Sequence, residues 1–201
     1  MRTVELVGAP KTGKTMMSTS FERAARAVDR PVRHFHGGGR YLQMRHKGTA
    51  DFNLAVACRN VLNLLVMSDI DDDALIIMDR GPVDSLVFSE ALFAVDRIAT
   101  GDLEVIQRLV WQSNVLSRLD AVVLLVADEP VLIERERRSY ETVHKSPLLG
   151  AIDRATRAVH EKLQDGGYRS VLLDTSSGTE SAIDSAVALL IEDLTSVHLP
   201  S

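Results

Sequence analysis

Eight residues near the N-terminus, Gly8-Ala9-Pro10-Lys11-Thr12-Gly13-Lys14-Thr15, have the types and the spacing needed to grip a polyphosphate. Gly8 and Gly13 let the backbone turn so that successive N–H groups point at one anion, and a following helix aims its positive end at the same spot. Lys14 can reach the β- and γ-phosphates of a nucleotide, and the Thr15 hydroxyl can ligate Mg²⁺. An apolar strand, Val4-Glu5-Leu6-Val7, leads into the loop and a helical pattern leaves it, which is the setting a Walker A phosphate loop requires. Gly8, Ala9, Pro10, Lys11, Thr12, Gly13, Lys14, Thr15 and Met16 are therefore the expected cofactor-binding residues, for a nucleoside triphosphate with Mg²⁺.

A second group follows the apolar run Ala74-Leu75-Ile76-Ile77-Met78. Asp79 at its end can hold Mg²⁺ or its water shell in the manner of a Walker B carboxylate, and Arg80 can grip an acceptor phosphate or stabilise developing charge through its planar fork. The bland alternative is that Asp79 caps a helix beginning near Pro82 while Arg80 pairs with a surface acid. Farther on, Leu132-Ile133-Glu134-Arg135-Glu136-Arg137-Arg138 puts arginines at a helix end, before the polar stretch Ser139 to Ser146 and Pro147. That pattern suits a lid over about 135–150, with Arg135 and Arg138 as candidate catalytic cations, although Glu134 and Arg138 could equally form an exposed i,i+4 pair.

Arg40, after His36-Gly37-Gly38-Gly39, and Arg45 are candidate acceptor-phosphate ligands, and with Asp79 and Arg80 they make up the candidate substrate-binding set. His34 and His36 share one strand face, as a metal pair would, yet no further histidine or cysteine accompanies them. Asp71-Asp72-Asp73 reads as a solvated turn.

Stepping outward, β-rich apolar runs alternate with helical patterns, the signature of a parallel sheet covered on both faces. Strands are expected over Thr3 to Val7, Pro31 to Phe35, Ala74 to Met78, Ala121 to Val126 and Ser170 to Leu173. Helices are expected near 14–28, 51–68, 82–97, 102–118, 130–138, 150–165 and 179–195. Pro82 and Pro130 suit first turns, Gly166-Gly167 a helix end, and Thr179 with Glu180 a helix start. In such a sheet ligands bind beyond the carboxyl ends of the strands, where the candidate residues fall.

With 201 residues and 45% hydrophobic content, the chain has material for one core and one domain, residues 1–201. A net charge of -5 argues against a nucleic-acid surface. The longest uninterrupted apolar run, Ala121 to Ala127, is a strand's length, so no membrane partner is expected, and the early first strand leaves no room for a signal peptide. Cytoplasmic residence is the resulting expectation. The single cysteine, Cys58, reads as a small core residue. The helix around Leu54 to Met67 has more apolar surface than one core face needs, which fits either a homodimer interface or a fully buried helix.

Together, Gly8 to Thr15, Asp79-Arg80-Gly81, the arginine-bearing segment from Arg135 and Leu173-Asp174-Thr175 resemble the thymidylate kinase-like and deoxynucleoside kinase-like branch of the P-loop nucleoside-monophosphate kinase family. The resemblance implies a three-layer α/β sandwich with a five-stranded parallel sheet of order 2-3-1-4-5 and Mg·ATP as phosphoryl donor. It also implies that Asp174 and Ser176 lie in the loop against adenine. The chain departs from thymidylate kinases before the glycines, where Phe35-His36 replaces an acidic residue and proline, and after Asp79-Arg80, where Gly81 replaces an aromatic or histidine. A nucleotide, a nucleoside or another small molecule therefore remains open as acceptor. Lys14, Asp79, Arg80, Arg135 and Arg138 are the candidate catalytic residues of such a phosphotransferase. A GTPase would need an Asn-Lys-x-Asp segment, which the sequence lacks. A regulatory ATP-binding switch with no small-molecule acceptor is the standing alternative.

Overall fold

The structure, a computed structural model, describes residues 2–37, 39, 41–70, 73–138, 147–177 and 180–196. Five strands, β1 Arg2–Gly8, β2 Val32–His36, β3 Leu75–Asp79, β4 Ala121–Val126 and β5 Ser170–Asp174, form one parallel sheet of order β2-β3-β1-β4-β5. Among the described residues eight helices surround it: α1 Lys14–Ala27, α2 Ala50–Ser68, α3 Pro82–Ala94, α4 Thr100–Val110, α5 Ser113–Leu116, α6 Glu129–Arg137, α7 Pro147–Asp165 and α8 Glu180–Ser196.

Alternation along β1 explains the layering. Val4 and Leu6 turn to one face and join Met17 and Phe21 of α1 and Val187 of α8, whereas Val7 turns to the other and joins Val83 and Val87 of α3 and Val159 of α7. β1 is central and all its residues after Arg2 are buried. Its carboxyl end, with those of β3 and β4, is where the connecting loops converge.

Several boundaries differ from the sequence expectation, each for a local reason. The helix expected over 102–118 is two, because Gln112 adopts an extended ψ of 132° and its carbonyl instead accepts the N–H groups of Val115 and Leu116. The helix expected to reach 97 ends at Ala94, where Asp96 takes a left-handed φ of 55° and the Arg97 N–H returns to the Leu92 carbonyl. Strands β3 and β5 extend one residue farther than expected, to include Asp79 and Asp174. Pro82, Pro130 and Gly166-Gly167 act as expected, while Thr179 lies outside the described residues.

Cys58 is exposed, not in the core as its residue type suggested. α2 presents Ala57, Asn60, Val61 and Leu64 inward, and Cys58 falls on the opposite stripe with Leu54, Leu62 and Val66, the last two 60% and 57% exposed. A fully buried α2 is thereby excluded. By length and composition this helix could also cross a membrane, though 28% of its apolar window is buried inside the protein.

Candidate active site

The phosphate loop closes on itself. Thr12 Oγ1 donates to the Ala9 carbonyl at 2.9 Å, and Lys14 Nζ donates to the carbonyls of Gly8 and Ala9 at 2.8 and 2.7 Å. Gly8 has φ 145°, and a Cβ there would stand 2.4 Å from the Leu125 carbonyl oxygen, so the sheet passes too close for any side chain. Burial lowers the Lys14 ammonium to about 7, with Arg80 adding to the effect and Asp84 and Asp79 opposing it. Thr15 is exposed at the loop's mouth.

β3 delivers Asp79 beside this loop, and the chain then makes a sharp elbow. Arg80 is held at φ 72°, an uncommon conformation for a side-chain-bearing residue. Three backbone contacts fix it: Arg80 N–H to the Leu6 carbonyl, Gly37 N–H to the Asp79 carbonyl, and Gly81 N–H to the Glu5 carboxylate. The Arg80 guanidinium lies over the Phe88 ring at 4.9 Å and donates to Asp84 Oδ2 at 3.0 Å. Asp84 Oδ1 in turn accepts the Gly8 N–H at 3.3 Å. A buried carboxylate thus bridges the phosphate loop and the elbow.

Asp79 Oδ1 is buried and has no hydrogen-bond partner among the described residues, an orphan that a cation, a water or a ligand would satisfy. With the nearby Thr15 hydroxyl it supplies the hard oxygen donors Mg²⁺ takes, so the residues present fit that ion. The His36 Nδ1 atom is 3.8 Å from Asp79 Oδ2, while His34 Nδ1 is 3.1 Å from Ser18 Oγ. Among the described residues no group of three potential metal ligands includes the His34–His36 pair.

Two clefts meet here. One, of about 740 Å³, is lined by the loop from Pro10 to Met16 together with Asp79, Arg80, Arg135 and Arg138. The other, of about 850 Å³, is lined by His36, Gly37, Lys47, Phe52 and Phe88. Pro10, Thr15, Asp79 and Arg80 belong to both walls.

The remaining sequence candidates divide. Arg135 crosses from α6 to the loops, donating to the Lys11 carbonyl and to both the hydroxyl and the carbonyl of Thr175. It braces the phosphate loop against the end of β5. Arg138 reaches the first cleft but also pairs with Glu134 at 3.1 Å, the i,i+4 arrangement. The Ser176 hydroxyl, with the Ser176 N–H that Asp174 accepts, holds the Asp174 carboxyl below the usual range, and Ser176 Oγ accepts the Asp128 N–H; neither residue is among the described lining of the first cleft. Arg45 is exposed and is not among the described lining of the second, where Lys47 stands instead. Arg40, Asp71, Asp72 and the stretch Ser139 to Ser146 lie outside the described residues.

Sequence reasoning passed over Glu5, Asp84, Lys47, Phe52 and Phe88. For Glu5 the signal was visible: a carboxylate in the middle of an otherwise apolar strand needs a partner. Phe52 and Phe88 carried none, since aromatic residues on apolar helices read as core.

No protein-family model matches the chain, nor does any curated protein sequence. Solved structures do match. Deoxyadenosine kinase from M. mycoides, with dCMP and a flexible dCDP bound, superposes with a TM-score of 0.69 at 12% identity, covering 97% of this chain and 100% of that one. The fold is that of the deoxynucleoside and thymidylate kinases. The same M. mycoides enzyme with dATP bound gives a TM-score of 0.67 at 12% identity over 96% of this chain and 99% of that one. Thymidylate kinase from Candida albicans gives 0.66 at 12% identity over 100% and 95%. The five-stranded order 2-3-1-4-5 of the P-loop kinase fold is thus shared over the whole length.

Proposed function

We propose that the protein is an ATP-dependent phosphotransferase that moves the γ-phosphoryl of Mg·ATP to a nucleoside, a nucleotide or a similar small acceptor. The observation that carries this reading is the pair of clefts with Asp79 and Arg80 in their common wall. A nucleotide switch needs one ligand cleft. A second cavity that opens onto the same carboxylate and guanidinium suits a second substrate, held where the phosphoryl group emerges.

In this reading the loop N–H groups and Lys14 hold the β- and γ-phosphates, with Lys14 leaving the Gly8 and Ala9 carbonyls for the phosphate oxygens. Thr15 and Asp79 would hold Mg²⁺, which would supply positive charge to neutralise the phosphates. Arg80, stacked over Phe88 and partly exposed in both clefts, supplies a planar fork for the transferring group. If the acceptor attacks through a hydroxyl, Asp79 takes its proton; if through a phosphate, Arg80 and Lys47 neutralise it. Phe52 and Phe88 offer apolar faces on which a base can lie. Arg138, at the rim of the first cleft, completes the cation set, while Arg135 keeps the loop in register. The bound deoxynucleotides in the M. mycoides structures favour nucleosides and nucleotides as the first acceptors to try.

Measuring ADP release from Mg·ATP against a panel of nucleosides, nucleoside monophosphates and hydroxylated metabolites tests the proposal. At least one acceptor is expected to raise ADP release well above the acceptor-free rate, with a phosphorylated product in equal amount. ADP release that no acceptor alters would favour the switch.

A further inference from the structure

Glu5 is fully buried in β1, on the face shared with Val7 that packs against α3. Its Oε1 accepts the N–H groups of Gly81 at 2.9 Å and Asp84 at 2.7 Å, and its Oε2 that of Val83 at 3.2 Å. These are donors that a helix start leaves without intrahelical partners. Ordinarily the residue at the cap supplies the acceptor, as Thr49 does for α2 by accepting the Phe52 N–H. Gly81 caps α3 with no side chain, and a carboxylate 76 residues earlier takes over the work.

Steric fit makes the exchange reciprocal. A Cβ on Gly81 would lie 2.7 Å from Glu5 Cδ and 2.8 Å from Oε2. Glycine stands there because the carboxylate occupies the space, and the carboxylate stands there because glycine cannot cap. Burying an acid in a central strand is costly, and a local serine or aspartate would stabilise a helix start far more cheaply. The chain accepts that cost at the helix start that borders both clefts. What Glu5 holds is therefore informative: Gly81 follows the strained Arg80, and Asp84 grips both the Gly8 N–H and the Arg80 guanidinium.

We propose that Glu5 is a positioning residue for phosphoryl transfer, capping α3 from β1 and so fixing the Asp79–Arg80 elbow and Asp84 against the phosphate loop, with Gly81 as its obligatory steric partner. Its effect on turnover rests on the phosphotransferase reading; the clamp itself does not. Two measurements separate them, amide exchange across residues 79–86 and steady-state kinetics of ADP formation with Mg·ATP and the best acceptor of the panel above.

In Glu5→Ala, the amides of Gly81, Val83 and Asp84 are expected to exchange at least about tenfold faster, as local opening becomes easier. Turnover number is expected to fall at least about tenfold with KM for Mg·ATP within about twofold, since the elbow is misplaced while the loop still binds. Glu5→Gln keeps its Oε1 for Gly81 and Asp84 and gives up only the bond from the Val83 N–H, so it is expected to stay within about threefold of the parent in turnover and in exchange of the Gly81 and Asp84 amides. Gly81→Ala alone should cost a similar factor to Glu5→Ala; added to Glu5→Ala it should cost less than about twofold more, because the obstructing carboxylate is gone. Turnover in Glu5→Ala equal to the parent, losses confined to KM, or effects of the two substitutions that simply multiply would each overturn the proposal. Should Glu5→Ala fail to fold, Glu5→Asp, which withdraws the carboxylate by one methylene, takes its place with the same expectations. Should the parent enzyme make no ADP with any acceptor, the phosphotransferase reading fails, and the exchange rates still decide the clamp: protection in the parent lost in the variant supports it, and equal rates overturn it.

Discussion

The two clefts are built by opposite means. On the phosphate-loop side the chain spends backbone: Gly8 touches the Leu125 carbonyl, Thr12 and Lys14 bond to loop carbonyls, and Arg135 straps the loop to Thr175. On the other side β2 is an edge strand with His34 and His36 exposed, and the cleft is walled by side chains from separate segments, His36, Lys47, Phe52 and Phe88. Main-chain recognition serves a ligand whose phosphates never vary. Side-chain recognition serves a ligand that can change with little disturbance to the fold. The contrast fits the proposed donor in the first cleft and the proposed acceptor in the second.

The most forceful way to break that assignment is at Lys14. Lys14→Met is expected to lower ADP formation by about 10²–10³-fold or more, the usual loss when a preorganised charge partner of the transferring group is removed, measured by a coupled ADP assay. An unchanged rate would empty the first cleft of its proposed ligand.

Gly8→Ala comes next. Its Cβ must displace the Leu125 carbonyl from 2.4 Å at φ 145°, so roughly 1–3 kcal/mol of stability should be lost through backbone strain, with ATP affinity falling in parallel. Urea unfolding and calorimetric titration of Mg·ATP report the two effects.

The acceptor side should respond separately. Phe52→Ala and Lys47→Ala are expected to raise the acceptor's KM by about tenfold each while leaving KM for Mg·ATP within about twofold, because they remove contacts to one substrate only. A rise in the ATP constant would merge the two clefts into one.

A test of pH dependence sharpens the border between them. Burial, aided by the Asp84 charge, pushes the Glu5 carboxyl up from 4.5 to about 8, against the pull of the Asp84, Val83 and Gly81 N–H groups. A raised acid is more readily protonated folded than unfolded, so its contribution to stability is fully present below pH 4.5 and is lost as pH rises through about 8. Glu5→Gln should flatten the fall in unfolding free energy over that window, read from denaturant melts at several pH values. A pH profile identical to the parent would place the carboxyl in its ordinary range.

How much of this was legible in the sequence follows the same division. The phosphate loop and the placement of Asp79 and Arg80 at a strand end came from short-range signals, glycines at fixed offsets and apolar runs ending in polar residues, whereas the sheet order came only with the family resemblance those residues carry. Cys58 defeated the reading because residue type says nothing about which stripe of an apolar helix faces the core. Lys47, Phe52 and Phe88 defeated it because a cleft assembled from a loop and two helices leaves no spacing to recognise. Glu5 was readable in principle, but its partners lie 76 to 79 residues away.

Asp79 and Arg80 form a party wall. If the proposed substrates occupy the two clefts, neither residue can be exchanged to suit a new acceptor without altering how the nucleotide is held, so selection for altered specificity must work on the far side of the second room, from His36 to Phe52, and in the reach of Phe88. Variation among relatives should therefore concentrate in that stretch while the partition itself stands still.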